Sequence, residues 1–135
     1  MGQIRPAQQQ DHDAILALWD AAGMGRTAAD EWQAITSGPC ATLLVAEEGG
    51  ALLGAAVASF DGWRAYISHV AIAPAQRRRG LAKAIMAEGE QHLRRRGARR
   101  VYALVNQDNT AGLALCAASG YEPLGDVGLV KELGA

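Results

Sequence analysis

Ile67-Ser68-His69-Val70-Ala71-Ile72-Ala73-Pro74-Ala75-Gln76-Arg77-Arg78-Arg79-Gly80-Leu81-Ala82 is the stretch on which the reading of this chain turns. It starts apolar, stops at a proline, crosses three arginines and opens at Gly80 into a segment where Leu81, Ile85, Gly89 and Leu93 recur every four residues. The first half predicts a strand over 65–72 and the second a helix over 80–96, capped by Gly97, with Arg94 to Arg96 at the negative end of its dipole. A helix N-terminus presents unpaired N–H groups and partial positive charge, so it suits an anion, and Gly80 and Ala82 are small where a pyrophosphate must approach the main chain. Three arginines at that end oppose the dipole by about 0.3–1 kcal/mol each when unaccompanied. A bound phosphate resolves the conflict; the alternative is a solvated basic run ahead of an ordinary helix.

Working outward, Gln3 to Ala7 reads as a short strand, and a helix capped by Asp11 or Asp13 carries Ile15, Leu16, Leu18 and Trp19 as far as Gly23 and Gly25. A weaker helix with Trp32 and Ile35 spans 28–36. Strands over 42–46 and 51–59 flank Glu48-Gly49-Gly50 as a hairpin, and Asp61-Gly62 turns into the strand at 65. After the central helix come a strand over 101–105, a helix capped by Asn109 and ended by Gly120, and a last extended segment from Tyr121 to Leu133. The order βααβββαβαβ is a mixed α/β fold around one sheet, and no internal repeat or linker divides it.

The 135 residues are one domain's worth, half hydrophobic and 20% charged, which is ordinary globular composition. No apolar run reaches the roughly 20 residues that span a bilayer, and the first residues lack the apolar core of a signal peptide. Cys40 and Cys116 lie far apart with no metal-ligand spacing around them, so a cytoplasmic protein with reduced thiols and no metal is expected. The net charge of −1 hides a segregation, because nine basic and two acidic residues between 77 and 100 give +7 while the rest carries −8. Such a patch fits a phosphate-bearing small molecule or a nucleic acid. Nucleic acid is disfavoured, since no aromatic residues interleave with the arginines.

Arg77-x-x-Gly80-x-Ala82, directly after a strand and a proline, resembles the Q/R-x-x-G-x-G/A signature of the GNAT N-acetyltransferases. Asn109, then Cys116 and Ser119-Gly120-Tyr121, is similar to that family's closing pattern N-x6-Y-x3-G-[FY]. Asp61-Gly62-Trp63-Arg64 resembles the D-G-[HW]-R turn of a small bacterial branch. The resemblance implies the acyl-CoA N-acyltransferase fold, with a mixed, mostly antiparallel sheet flanked by about four helices, and transfer of an acetyl group from acetyl-CoA to an amine by direct attack. It also implies a cofactor site. Val70, Ala71 and Ile72 would meet the pantetheine arm as an added strand does. Arg77, Arg78, Arg79, Gly80, Leu81, Ala82 and Lys83 would hold the pyrophosphate, with Asn109 completing the pattern. A homodimer is compatible with the sequence.

The chain departs from the family pattern at the chemistry. The usual proton donor to the departing thiolate is a tyrosine, and Cys116 stands in its place; a thiol can serve as the acid, or be a small buried hydrophobe. Tyr121 and Tyr102 are substitutes. The strand over 65–72 has no carboxylate to act as base. His69 has the imidazole for that work, whereas Tyr66 and Ser68, which could position a water, fall on the opposite face by strand alternation. Trp19 is expected in the core, and Trp32 and Trp63 are candidates for lining the amine pocket. Against the enzyme stands a second class, an acyl-CoA-binding module without catalysis.

Overall fold

The computed structural model describes residues 2–24 and 29–134. The first strand, β1 (Gln3–Pro6), leads through a short 3-10 turn at Gln9–Asp11 into α1 (His12–Ala21). Asp11 does not cap the helix with its side chain. Its carboxylate instead accepts the Gln8 N–H at 2.7 Å and takes both ends of the Arg5 guanidinium at 2.8 and 3.1 Å. Arg5 also reaches Glu47 at 2.8 Å, so a nearly buried carboxylate and its cation tie β1 to the neighbouring strand. The expected helix stop at Gly25 lies outside the described residues.

Next come α2 (Ala29–Ser37), β2 (Ala41–Glu48), β3 (Ala51–Phe60), β4 (Ala65–Ile72), α3 (Leu81–Arg95), β5 (Val101–Ala103) and α4 (Thr110–Ala118). The five strands lie in the order β1-β2-β3-β4-β5. The first three pairings are antiparallel and β4 runs parallel to β5. β2 and β3 form the expected hairpin, with Glu48 opposite Ala51 across Gly49-Gly50.

Apolar side chains divide between the two faces of the sheet. On one, Ile15 and Trp19 of α1 and Trp32 of α2 pack against Leu43, Val45, Ala55, Val57 and Ala71. On the other, Leu81 and Ile85 of α3 meet Ala46, Leu53 and Ala56, while Met86 and Leu93 meet Ala58, Ala65 and Ile67. Each of the larger aliphatic side chains among them contributes about 1.5–3 kcal/mol on burial. Gly89 lets α3 lie close on β4, since a Cβ there would stand 3.2 Å from Cδ1 of Ile67.

Tyr121 to Leu133 does not return as a strand. Leu124, Val127, Leu129, Val130 and Leu133 are all at least 60% exposed. Pro123 removes a donor, Gly125 and Gly128 weaken any ladder, and β5 has three residues rather than the expected five to pair with.

Candidate active site

The parallel pairing of β4 with β5 covers only Ala65↔Val101, Tyr66↔Tyr102 and Ile67↔Ala103. Beyond Ile67 the strands part, and among the described residues the β5 side of Ser68 to Ile72 has no strand beside it. This is an edge at which an extended chain could add main-chain hydrogen bonds.

At the parting point β4 carries a bulge. Ser68 pairs with Val57 and Ala71 with Ala55, so β4 spends three residues where β3 spends two. His69 takes the surplus with φ of 53°, a conformation to which His, Asn and Asp are several-fold more prone than other non-glycine residues. Its carbonyl accepts the Trp19 Nε1–H at 3.1 Å, and its ring meets Trp19 edge-on with centroids 5.1 Å apart.

The bulge overturns the alternation argument. Ser68 and His69 line the same pocket, a hollow of about 270 Å³ on the α1/α2 face that they share with Trp19, Met24, Glu31, Ile35, Ala41, Val57 and Ser59. Tyr66 stays out of it, its ring 5.5 Å from that of Tyr102.

Past β4 the chain makes a 3-10 turn at Pro74–Gln76 and then an irregular bend to Gly80. Arg78 and Gly80 both have positive φ, 66° and 77°. Among the described residues, the N–H groups of Arg78 through Lys83 make no backbone hydrogen bond, the first helical bond being that of the Ala84 N–H to Gly80. The main chain therefore presents a run of donors at the positive end of α3. The arginine side chains spread away from one another: Arg77 Nε reaches Ile72 O at 3.4 Å, and Arg79 donates to Gln76 and stands 4.0 Å from Glu48. Val70 and Ile72 pack beside Leu81 and Ile85, so the strand edge and the donor loop form one continuous unit. Asn109 caps α4 as expected, its Oδ1 accepting the Gly112 N–H at 2.9 Å.

The two catalytic candidates stand on opposite faces of the sheet. His69 faces Trp19, whereas Cys116 of α4 packs half-buried beside the α3-facing cluster of Ala58, Ala65, Ile67, Met86 and Leu93. Burial pushes the Cys116 thiol above its ordinary range, so it stays protonated. Tyr121 packs on the same cluster, and its hydroxyl donates to Glu90 at 2.7 Å. Burial, followed by that carboxylate, drives the phenol well above its usual range and keeps its proton at home.

The tryptophans divide differently from expectation. Trp19 is both core and pocket wall. Trp32 belongs to the core, 7% exposed and edge-on to His12 and Trp19. Trp63, 77% exposed, lies under the Arg64 guanidinium at 4.3 Å, in a turn where Asp61 accepts the N–H groups of Trp63 and Arg64 at 2.8 Å each. Sequence reasoning missed Met24, Glu31, Ile35, Ala41, Val57 and Ser59. They come from three different elements and the chain after α1, and no local spacing links them. For the bulge a signal was present: a Ser-His pair inside an otherwise apolar strand.

No group of three or more metal-binding side chains occurs among the described residues, and no helix among them is long and apolar enough to cross a membrane. A sequence model of the acetyltransferase (GNAT) family matches residues 7–121. An acetyltransferase of Pectobacterium atrosepticum is 28% identical over 97% of this chain and 95% of its own length. One of Yersinia enterocolitica is 29% identical over the same shares. Among solved structures, the aminoglycoside N-acetyltransferase AAC(6')-Iy bound to a CoA bisubstrate analogue superposes with a TM-score of 0.82 at 19% identity, covering 98% of each chain. A Bacillus halodurans transcriptional regulator reaches 0.84 at 16% identity, covering 98% of this chain and all of its own. With a family match that takes in the bulged strand, the donor loop and both catalytic candidates, this chain belongs to the GNAT acetyltransferases.

Proposed function

We propose that this protein transfers an acetyl group from acetyl-CoA to a primary amine by direct attack, without an acyl-enzyme. The observation that carries the proposal is the continuity of the open β4 edge with the donor loop at the start of α3. The edge offers main-chain groups to an amide-bearing arm, and the loop offers N–H groups to a pyrophosphate at the end of that arm. Structural relatives solved with CoA or a CoA bisubstrate analogue support CoA as the ligand of this fold.

The parting of β4 and β5 puts a thioester lodged there between the two faces of the sheet. From the α1/α2 face, Ser68 and His69 meet the incoming amine, and His69 takes the ammonium proton so that a nitrogen lone pair is free. The amine nitrogen bonds to the acetyl carbon, the carbon–sulfur bond breaks, and backbone N–H groups at the parting strands steady the developing oxyanion. From the α3 face, Cys116, held protonated by burial, returns a proton to the thiolate. The adduct nitrogen sheds its second proton to solvent as the amide forms, and Cys116 regains one from solvent. His69 releases the ammonium proton there, so amide and CoA leave with the enzyme as it began.

A thiol-release assay with acetyl-CoA and a panel of amines, run beside thermal melts with and without acetyl-CoA, tests the proposal. Amine-dependent release with a matching acetylated product is expected. Stabilisation by acetyl-CoA with no release from any amine would leave a binding module in place of an enzyme.

A further inference from the structure

The last third of the chain leaves three apolar surfaces without cover. β5 is the outermost strand, and among the described residues its edge away from β4 pairs with nothing. From Ala111 to Ala118, α4 is apolar all round, yet none of its residues is buried, whereas a helix of that composition belongs inside a core. Tyr121 is pinned by its N–H to the Cys116 carbonyl at 2.9 Å and by its hydroxyl to Glu90. Beyond it, no main-chain hydrogen bond among the described residues involves 122–134, and the leucines and valines of that tail stand in solvent. The exposed area is out of proportion to the mass. The chain exposes 9090 Å², where a folded monomer of 14.2 kDa exposes about 6,800 Å². The excess is about 2,300 Å² per chain. For a pair of chains it falls within the roughly 2,000–5,000 Å² that permanent homodimers bury.

We propose that residues 127–133 add as a strand to the outer edge of β5 in a second copy of this chain, whose own tail does the same in return. The tail and the edge are both unmet on one chain, so a two-fold axis satisfies both at once and closes the assembly. Their charges match. Glu122, Asp126 and Glu132 outweigh Lys131 on the tail, while exposed Arg99 and Arg100 lead into β5. Strand alternation puts Val127, Leu129 and Leu133 on one face, which covers α4 and its exposed Leu113. Pro123 lies ahead of the pairing part, where its missing donor costs nothing. With only three residues in β5 the ladder is short, so the contact with α4 carries most of the interface.

Sedimentation velocity of the full chain should give a dimer of about 28 kDa, twice the 14.2 kDa of one copy. The double variant Leu129→Glu, Val130→Glu changes two side chains that are more than nine-tenths exposed, and it should sediment as a monomer with unchanged far-UV circular dichroism. Hydrogen exchange read by mass spectrometry should show the amides of 127–133 protected in the wild type and unprotected in the variant. If the variant does not fold, a dilution series of the wild type replaces it, and protection of 127–133 should fall in step with the dimer fraction. A wild-type monomer with protected 127–133 would mean that the tail returns to its own β5. A monomer with these amides unprotected would mean that the tail pairs with nothing. A dimer that survives both glutamates, or protection that ignores dilution, would place the contact on other surfaces. Each of these three results overturns the inference.

Discussion

Gly80→Glu isolates the pyrophosphate site from the stability of the helix it begins. Gly80 has φ of 77° and a Cβ there would meet no atom within 4 Å, so a side chain costs only the left-handed strain of a non-glycine residue, about 1–2 kcal/mol. Gly97, just past the C-terminal end of α3, is the matched control, with φ of 102° and the same open surroundings. Both Gly80→Glu and Gly97→Glu should lower Tm by several degrees, at roughly 3–5 °C per kcal/mol for a domain of this size. Acetyl-CoA at a hundredfold excess over Kd stabilises the wild type by about 2.7 kcal/mol, hence roughly 10 °C. Differential scanning fluorimetry with and without acetyl-CoA should show that shift kept in Gly97→Glu and lost in Gly80→Glu, where a carboxylate occupies the space the phosphates need. A Gly80→Glu variant that melts like Gly97→Glu and keeps the full shift would refute the placement of the phosphates at the start of α3.

Reversing Arg77 and Arg78 to Glu should weaken CoA far more than pantetheine lacking phosphates, while reversing Arg94 and Arg95 should leave both nearly unchanged; calorimetric titration of the two ligands checks this. Cys116→Ala should lower kcat by about 10² to 10⁴ with acetyl-CoA affinity kept. Because burial raises the thiol, the alkaline fall in wild-type kcat should come above the ordinary cysteine range; an unchanged kcat in the variant would reduce Cys116 to packing. Asp11→Asn removes the carboxylate that Arg5 holds below its usual range, and breaking a buried pair of this kind costs about 3 kcal/mol. Since the folded pKa is the lower one, that stability is present above the unfolded value near 3.9 and lost as pH falls from there through the folded pKa. Melts should therefore show wild type and variant far apart at pH 7 and drawing together as the pH falls below about 4.

The helices and hairpin were legible because each has a local cause: the period of four from Leu81 to Leu93, the paired glycines between Glu48 and Ala51, the cap at Asn109. The donor loop was legible too, through the small residues at 80 and 82 and the proline before them. What escaped was decided between elements. Asp11 looks like a cap, but Arg5 and the Gln8 N–H compete for its oxygens and win. The tail from Tyr121 to Leu133 carries strand formers such as Val127 and Val130, yet Pro123 and two glycines interrupt them, pairing depends on an edge, and β5 is short. The hollow beside Ser68 and His69 could not be assembled from sequence, because Met24, Ile35, Ala41, Val57 and Ser59 converge only once α1, α2 and three strands are folded together.

The surplus residue in β4 acts as a shift of phase. Up to Ser68 the even-numbered side chains of the strand look towards α1 and α2; beyond His69 it is Ala71, odd-numbered, that does so, while Val70 and Ile72 turn to α3. A hydrophobicity profile drawn through the whole strand adds two waves that are out of step, so its period-two signal cancels at the position that matters most. Deleting His69 would bring the waves into step and rotate Val70 and Ile72 away from Leu81 and Ile85. The anchoring of the loop that follows would slip by one residue. The strand's residue count is thus as much a property under constraint as the identity of any side chain in it, and comparison with distant relatives should admit no gap between Ala65 and Ile72.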